Sequence, residues 1–247
     1  MILLIDFGNT SIKASITALD KYNEIDNFKG LEDAFIFWLQ NHLQKIEQYC
    51  ISSVLTEHKT KEIIKLLNDN GIQSILWSKN KTLPIQINYN TPETLGQDRI
   101  CGAIGAHSLY PNQNILIIDA GTCIKYDFVT NNKSYQGGAI SLGISMRFKA
   151  LNHYTNLLPL LNKPEIVPEI IGKSTQTAIE SGVINGVIGE ILYCIAQYKE
   201  KNHQLQVVFT GGDAKYLHDN IKNTIFANRN LVLLGLFQIA KYRLTIK

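Results

Sequence analysis

The chain has 247 residues, of which 45% are hydrophobic and 18% are charged, and its formal net charge is +3. This composition disfavours a disordered, collagen-like or disulfide-scaffold protein. Lys and Arg are scattered and form no dense run, so an arm that binds nucleic acid is not indicated. The length allows either one large domain or two compact halves.

The cysteines and the apolar segments bear on the compartment. The four cysteines lie far apart with no C-x-x-C pair, at Cys50, Cys101, Cys123 and Cys194. Neither zinc spacing nor a disulfide framework is indicated, and we expect four buried thiols in a reducing cytosol. The first apolar run ends at Asp6, before a signal-peptide core or a membrane span could form, and no later stretch is long enough. We therefore expect a cytoplasmic protein that binds neither membrane nor nucleic acid.

The first half opens with two short strands joined by a glycine turn. In chain order, the pattern predicts strands at 2–5, 12–16 and 22–28, a helix at 31–46, a strand at 51–55, a helix at 57–68 and a strand at 72–77. The first helix rests on apolar residues spaced for one buried face. Thr56 is a candidate cap for the second helix, and Gly71 fits the break after it.

The second half repeats the opening pattern. Ile115–Ile118 followed by Asp119-Ala120-Gly121-Thr122 has the apolar strand, Asp, Gly and hydroxyl of residues 2–10. After it we predict a strand at 126–129, a turn at 131–132, a strand ending at 137–140, a helix at 175–199, a strand at 207–209, a loop at 210–214 and a helix at 231–244. Three prolines make 156–172 a loop. Helices alternating among strands predict an α/β protein, and the hairpin that opens each half predicts mixed sheets.

The turn Asp6-Phe7-Gly8-Asn9-Thr10 could bind phosphate. Gly8 permits close approach of an anion, and Asn9 and Thr10 offer donors to phosphate oxygens. Asp6 could hold Mg²⁺ against those phosphates, directly or through water. An ordinary tight hairpin uses the same residue types, so this turn alone leaves both interpretations open.

The second turn favours the phosphate interpretation, because two such turns, one in each half, suggest two phosphate loops. Gly121 would bring the backbone near a nucleotide, Thr122 would donate to its phosphates, and Asp127 with Asp119 could place a cation. The third glycine turn, Thr210–Ala214, would let a helix N-terminus approach a nucleoside or an anion, or would serve as a helix cap.

These duplicated turns resemble the nucleotide site of the acetate and sugar kinase, Hsp70 and actin superfamily. Within it, nearly the whole chain is similar to the type III pantothenate kinase family. The matching blocks are Asp6–Thr10 with Lys13, Thr91–Arg99, Asp119–Thr122, Gly137–Ile140, Gly172–Thr175 with Ser181-Gly182, and Gly211–Ala214. The block Gly96-Gln97-Asp98-Arg99 is the specific one.

The resemblance implies a fold, an activity and a site. The fold would be two ribonuclease H-like, actin-like ATPase domains with mixed sheets flanked by helices, 1–112 and 113–247, with the active site in the interdomain cleft. The activity would be ATP-dependent phosphorylation of pantothenate with Asp98 as general base. ATP would be bound by Asp6, Phe7, Gly8, Asn9, Thr10, Ser11, Ile12, Lys13 and Thr122. Pantothenate would be bound by Tyr89, Gly96, Gln97, Asp98, Arg99 and Thr175, the last from the second subunit of a homodimer.

The resemblance also implies Mg²⁺ at Asp6 and a monovalent cation, K⁺ or NH₄⁺, at Asp119. Two positions depart from the family's pattern. Lys125 stands where the family usually has small or hydroxyl residues, and it could meet phosphate or replace part of the cation's role. Leu142 replaces a proline before Gly143, which concerns loop rigidity more than chemistry.

Two other functions stay open at this point. One is a regulator that keeps the fold without catalysis, whose sign would be loss of the base or of a phosphate-loop Asp. Asp98, Asp6 and Asp119 are all present. The other is a kinase for a different small hydroxylated acid or a sugar, since acceptor choice depends on a pocket shape that sequence does not display.

Overall fold

The computed structural model of the chain describes residues 1–23, 26–29, 33–54, 57–75, 82–202, 204–221, 225–227 and 230–245. The chain forms two compact units. The first comprises 1–112, 129–136 and 230–247, and the second comprises 113–128 and 137–229.

The bounds of the elements are as follows. The strands are β1 (Ile2–Phe7), β2 (Ser11–Thr17), β3 (Asp26–Lys29), β4 (Gln48–Ser53), β5 (Gln73–Ser74), β6 (Gln86–Ile87), β7 (Asn114–Ala120), β8 (Cys123–Val129), β9 (Ser134–Leu142), β10 (Leu205–Thr210) and β11 (Ile225–Ala227). The helices are α1 (Asp33–His42), α2 (Glu57–Asp69), α3 (Gln97–Leu109), α4 (Ile144–His153), α5 (Thr175–Lys201), α6 (Ala214–Asn220) and α7 (Leu231–Thr245).

The sheet of the first unit is mixed, with strand order β3-β2-β1-β4-β5. The buried strand β1 runs antiparallel to β2, to which the glycine turn joins it, and parallel to β4 on its other side. One face of this sheet packs against α1 and α2 through Leu3, Ile5, Phe35, Leu39 and Leu67. The helices α3 and α7 pack against each other, with α7 also against β1 and β4 and α3 also against β4.

The second sheet has the order β11-β10-β7-β8-β9-β6. Strand β10 runs parallel to both β7 and β11. Inward residues of β7 and β8 pack against α4 and α5, with Leu116, Ile124, Phe148, Ile184 and Val187 in the core. Both sheets have helices against them, so the predicted α/β class with two mixed sheets is confirmed.

Most predicted elements are present, and the differences have physical reasons. The predicted helix 31–46 is shorter, because α1 ends at His42 and a 3₁₀ turn follows at Leu43–Lys45. Strand β5 is only two residues long, and α2 ends before Gly71, whose φ is +74°. Thr56 and Trp77 lie outside the described residues. Helices α3 and α4 were not predicted. Residues Arg99–His107 of α3 are buried without interruption, which removes the polar face that gives a helix its periodicity.

Among the described residues one helix, α5, is long and apolar enough by length and composition to cross a membrane. The sequence prediction that no such stretch exists was therefore wrong on this criterion. Several apolar residues of α5 pack in the core of the second unit, namely Ile179, Val183, Ile184 and Val187. A capping box from Ser174 to Thr177 begins the helix.

Candidate active site

The first glycine turn joins β1 to β2 with its tip exposed. The Gly8 N–H donates to the Ser11 carbonyl oxygen over 3.0 Å. A Cβ at Gly8 would lie only 3.1 Å from that same oxygen, so a larger residue would crowd the turn. Asn9 and Thr10 are exposed and can reach a ligand. Phe7 and Ile12 are core side chains, so an ATP contact there is possible only through the backbone.

Asp6 lies near the carboxyl end of β1 with only 8% of its surface exposed. Its register partner across the antiparallel pair is Lys13, so both side chains lie on the same face of the sheet. A single carboxylate beside a phosphate loop fits the way proteins hold Mg²⁺, with one or two carboxylates, phosphate oxygens and water. Among the described residues no three His, Cys, Asp or Glu side chains gather as a metal cage.

Asp98 lies in the first turn of α3, close to the residue that begins it. Gly96 is the N-cap, and a Cβ there would lie 2.5 Å from the Asp98 Oδ1 atom. Glycine at 96 thus leaves room for the carboxylate to fold back over the helix start. The Ser53 N–H donates to Gln97 Oε1 over 3.3 Å, which ties the start of α3 to the end of β4.

Cys101, one turn further along α3, lies near both predicted acidic residues, Asp6 and Asp98. Burial raises the pKa of this thiol well above its ordinary value, and the negative charges of Asp6 and Asp98 raise it further. The candidate base and the candidate Mg²⁺ ligand therefore lie near one buried thiol of the same unit. Cys50 is also buried, which raises its pKa to about 12. Cys123 and Cys194 are only partly buried, so the expectation of four buried thiols holds for two.

Arg99 and Tyr89 are both predicted at the acceptor site. Both lie against the ring of Tyr135, a residue that the sequence analysis did not identify. The Arg99 guanidinium carbon lies 5.9 Å from the centroid of the Tyr135 ring, and the Tyr89 ring centroid lies 6.1 Å from it. The Asn88 N–H donates to the Tyr135 carbonyl over 2.9 Å where β6 pairs with β9. Arg99 is 7% exposed, which contradicts its alternative interpretation as a surface ion-pair residue.

The second glycine turn joins β7 to β8 in the other unit. The Gly121 N–H donates to the Cys123 carbonyl over 3.0 Å, and the exposed Thr122 lies at the tip. The Gly143 N–H, at the start of α4, donates to the Thr122 carbonyl over 3.1 Å. Asp119 Oδ2 lies 2.7 Å from Lys125 Nζ, so the carboxylate predicted to bind a monovalent cation already forms an ion pair.

The third glycine turn packs directly on the second. The Asp213 N–H donates to the Ala120 carbonyl over 2.9 Å. Gly211 has a φ of +96°, and a Cβ there would lie 2.6 Å from Asp119 Oδ1. The Asp213 side chain forms no capping hydrogen bond to α6 and pairs instead with Lys163. Asp213 is still the N-cap residue of α6, so the turn precedes a helix as its alternative interpretation expected, but the side chain takes no part in the cap.

A buried polar network holds the elements around the second turn. Glu190 on α5 accepts hydrogen bonds from Tyr126 on β8 over 2.8 Å, from Ser141 on β9 over 3.0 Å, and from Arg147 on α4. Burial alone would raise the pKa of Glu190, but these hydrogen bonds outweigh burial and lower it. Sequence reasoning missed this network, whose members are far apart along the chain.

Thr175 is the first residue of α5, and its side chain is exposed. The residue that caps the helix is Ser174, whose Oγ accepts from the Thr177 N–H over 3.2 Å. Thr175 is therefore not the cap, contrary to its alternative interpretation, and its hydroxyl can face a partner or a ligand.

Two α/β units, each opening with an apolar strand whose penultimate residue is Asp and which leads into a glycine turn, give the chain the fold of the sugar kinases and actin-like ATPases. Solved structures agree on the fold. A Sinorhizobium meliloti protein described as a 2-dehydro-3-deoxygalactonokinase matches with a TM-score of 0.58 at 12% identity, over 98% of this chain and 99% of that one. A Campylobacter jejuni protein described as a Baf family transcriptional activator matches with a TM-score of 0.63 at 21% identity, over 98% and 99%.

Sequence similarity identifies the family to which the chain belongs. The family model for type III pantothenate kinase matches residues 2–197. A type III pantothenate kinase of Flavobacterium psychrophilum is 41% identical, over 98% of this chain and all of the relative. One from Christiangramia forsetii is 40% identical, over 99% and 100%. The chain belongs to the type III pantothenate kinase family.

Proposed function

We propose that this chain transfers the γ-phosphoryl group of ATP to the terminal hydroxyl of pantothenate, the first step of coenzyme A biosynthesis. The observation that carries the proposal is the family match over residues 2–197. It is supported by the position of Asp98 in the first turn of α3, next to Arg99, which lies against the same Tyr135 ring as Tyr89. In the reaction the acceptor oxygen forms a bond to the γ-phosphorus, the bond from that phosphorus to the bridging oxygen breaks, and ADP leaves.

Asp98 is proposed to accept the proton of the attacking hydroxyl. Its half-buried carboxylate lies over Gly96, at the edge of the predicted acceptor site. Arg99 would hold the pantothenate carboxylate, since a planar guanidinium pairs with a carboxylate through two parallel hydrogen bonds. Tyr89 would line the pocket, and the backbone at Gly96 and Gln97 would complete it.

The glycine turns are proposed to bind ATP, with the first phosphate loop in the unit that contains 1–112 and the second in the unit that contains 113–128 and 137–229. Exposed donors at Asn9, Thr10 and Thr122 would contact phosphate oxygens. Mg²⁺ held at Asp6 would neutralise charge on the transferred group, because a loose phosphoryl transition state asks chiefly for positioning and neutralisation. The monovalent cation expected at Asp119 is not included in this proposal, because Lys125 already forms an ion pair with that carboxylate.

The test is product formation by the purified chain. Incubated with ATP, Mg²⁺ and pantothenate, in K⁺ and separately in NH₄⁺, it should release ADP and yield pantothenate one phosphate heavier by mass spectrometry. Parallel reactions with glucose and N-acetylglucosamine should release no ADP above background. Failure to form phosphopantothenate by folded protein in both salts would refute the proposal, and phosphorylation of a sugar alone would point to the other acceptor class.

We also propose that the enzyme acts as a cytoplasmic homodimer, with Thr175 reaching the acceptor site of the second copy. Support comes from an exposed apolar surface on the second unit, which we call the strap. It consists of residues 154–173, and its most exposed apolar residues are Tyr154, Leu157, Ile166, Ile170 and Ile171. Leu158, Leu161 and Val167 of the same segment pack inward against the core. An unusual number of exposed large apolar side chains on one segment fits an interaction site.

A further inference from the structure

Lys125 places an ammonium group where the monovalent cation was expected. Its Nζ lies 2.7 Å from Asp119 Oδ2, and the two side chains are only 18% and 21% exposed. At that distance the pair is a charge-assisted hydrogen bond, which is among the stronger polar contacts in proteins. The low exposure means that solvent screens the pair only weakly.

The position of Lys125 is built into the repeat. In the first turn Gly8 and Ser11 close the hairpin, and two residues outward on each strand lie Asp6 and Lys13, which are register partners. In the second turn Gly121 and Cys123 close the hairpin, and two residues outward lie Asp119 and Lys125. Each phosphate loop thus has an Asp at the end of the first strand and a Lys across from it on the second.

A separate monovalent ion does not fit this arrangement. The Lys125 ammonium takes Oδ2 of Asp119, and a second cation at that oxygen would meet a like charge at short range. The other carboxylate oxygen, Oδ1, lies close to Gly211, where an added Cβ would be only 2.6 Å from it, so the third glycine turn narrows the space on that side. An ammonium ion from solution could offer only the hydrogen-bonding chemistry that the lysine already supplies.

We infer that Lys125 is a built-in replacement for the monovalent cation, so that this chain needs neither K⁺ nor NH₄⁺. The inference rests on the proposed function for its activity readout. Lys125 acts here by compensating the charge of Asp119 beside the phosphate loop and not by contact with the reacting atoms. Removing the ammonium should leave an uncompensated carboxylate with space beside it, which a small cation from solution can occupy.

The unmodified protein gives the first test. Pantothenate phosphorylation should proceed within about twofold at the same rate in K⁺, in NH₄⁺ and in tetramethylammonium of equal ionic strength, because screening is held constant. Strong dependence of the unmodified chain on K⁺ or NH₄⁺ would overturn the inference, whatever any variant does.

The second test removes the ammonium. In tetramethylammonium, Lys125→Ala should lose about 10- to 100-fold in kcat/KM, the typical effect of removing a residue that acts through a neighbouring ligand group. K⁺ or NH₄⁺ should restore most of it. Lys125→Arg keeps the charge and should remain indifferent to the salt, and Lys149→Ala, an exposed lysine on α4 of the same unit, serves as the matched control. A loss that no cation restores would contradict a charge-replacing role.

A binding readout separates this inference from the proposed function. Without pantothenate, the Tm of Lys125→Ala should rise with K⁺ relative to equal tetramethylammonium, because the freed carboxylate then binds the ion. The Tm of the unmodified chain should show no such difference. If pantothenate is not phosphorylated in any salt but this contrast in Tm appears, the proposed function fails and the cation replacement stands. A K⁺-dependent Tm in the unmodified chain refutes the replacement alone.

Discussion

Asp98 is the residue whose chemistry is most directly open to test. Replacement by Asn keeps the shape of the side chain and its place over Gly96 but removes the proton acceptor. Since general base catalysis typically contributes ~10²–10⁴-fold, Asp98→Asn should lower kcat by about that factor. The KM for ATP should change little, because the groups proposed to bind the nucleotide are those of the glycine turns. An ADP-coupled assay measures both constants.

The control for this variant is Asp69→Asn, which neutralises an exposed carboxylate at the end of α2 in the same unit. It should have the kinetics of the unmodified chain. Retention of more than about a tenth of kcat by Asp98→Asn would mean that another group accepts the proton, given the typical size of base catalysis. A rise in the KM for ATP with kcat unchanged would place Asp98 in nucleotide binding instead.

At the residue scale, local motifs predict chemistry better than they predict surroundings. The family resemblance of the block Gly96-Gln97-Asp98-Arg99 indicates Asp98 and Arg99, and the structure locates both at the start of α3. It does not indicate Tyr135, because the contact of this ring with Arg99 depends on pairing between β6 and β9, which are distant along the chain. Lys125 is an intermediate case. The sequence shows Lys125 as a departure from the family's pattern, but its pairing with Asp119 becomes evident only from the hairpin in the structure.

At the scale of elements, α3 and α7 approach so closely that glycine is needed on both helices. A Cβ at Gly235 would clash with the Cys101 carbonyl, and one at Gly105 would clash with the Leu231 carbonyl. Gly235→Ala should therefore destabilise the protein by ~1–3 kcal/mol, the usual cost of forcing extra atoms into a packed interior. Reversible urea unfolding followed by circular dichroism measures the change in free energy.

Gly102 on α3 provides a matched control, because a Cβ there would meet no atom within 4 Å. Gly102→Ala gains helix propensity without a clash and should be neutral or up to ~1 kcal/mol more stable. Equal effects of the two substitutions would contradict the close approach, since propensity alone acts on both positions alike.

The same close packing explains which elements the sequence could predict. Helix α1 has one buried face, and its apolar spacing indicated a helix there. Helix α3 is buried nearly throughout, and its small residues, Gly102, Ala103, Gly105 and Ala106, allow close packing without marking a periodic face. Strands β1 and β7 were easy to recognise because central, fully buried strands are continuous apolar runs.

At the scale of the whole molecule, the question is which surface would form the proposed dimer. Small residues along α5 allow close approach of another backbone, either within the fold or across subunits. The structure shows the strap lying along α5, with Ser181 Oγ donating to the Ile170 carbonyl over 2.8 Å. The side chain of Ile170 is 77% exposed beside this contact, and Ile166 and Ile171 are similarly exposed. Burial of such residues would supply the free energy of association.

Replacing Ile166 and Ile171 by Asp should therefore convert the proposed dimer to a monomer. Both side chains are more than 70% exposed in the single chain, so the double variant should fold normally while its dimer dissociation constant rises by about 30-fold or more. Sedimentation velocity at micromolar protein measures the shift. Because Thr175 is proposed to reach the acceptor site of the second copy, the KM for pantothenate should rise with the monomer fraction while ATP binding persists. Phe37→Asp, at an exposed apolar residue of the first unit, should leave the dimer intact. A monomeric unmodified chain with full activity would contradict both the dimer and the role of Thr175.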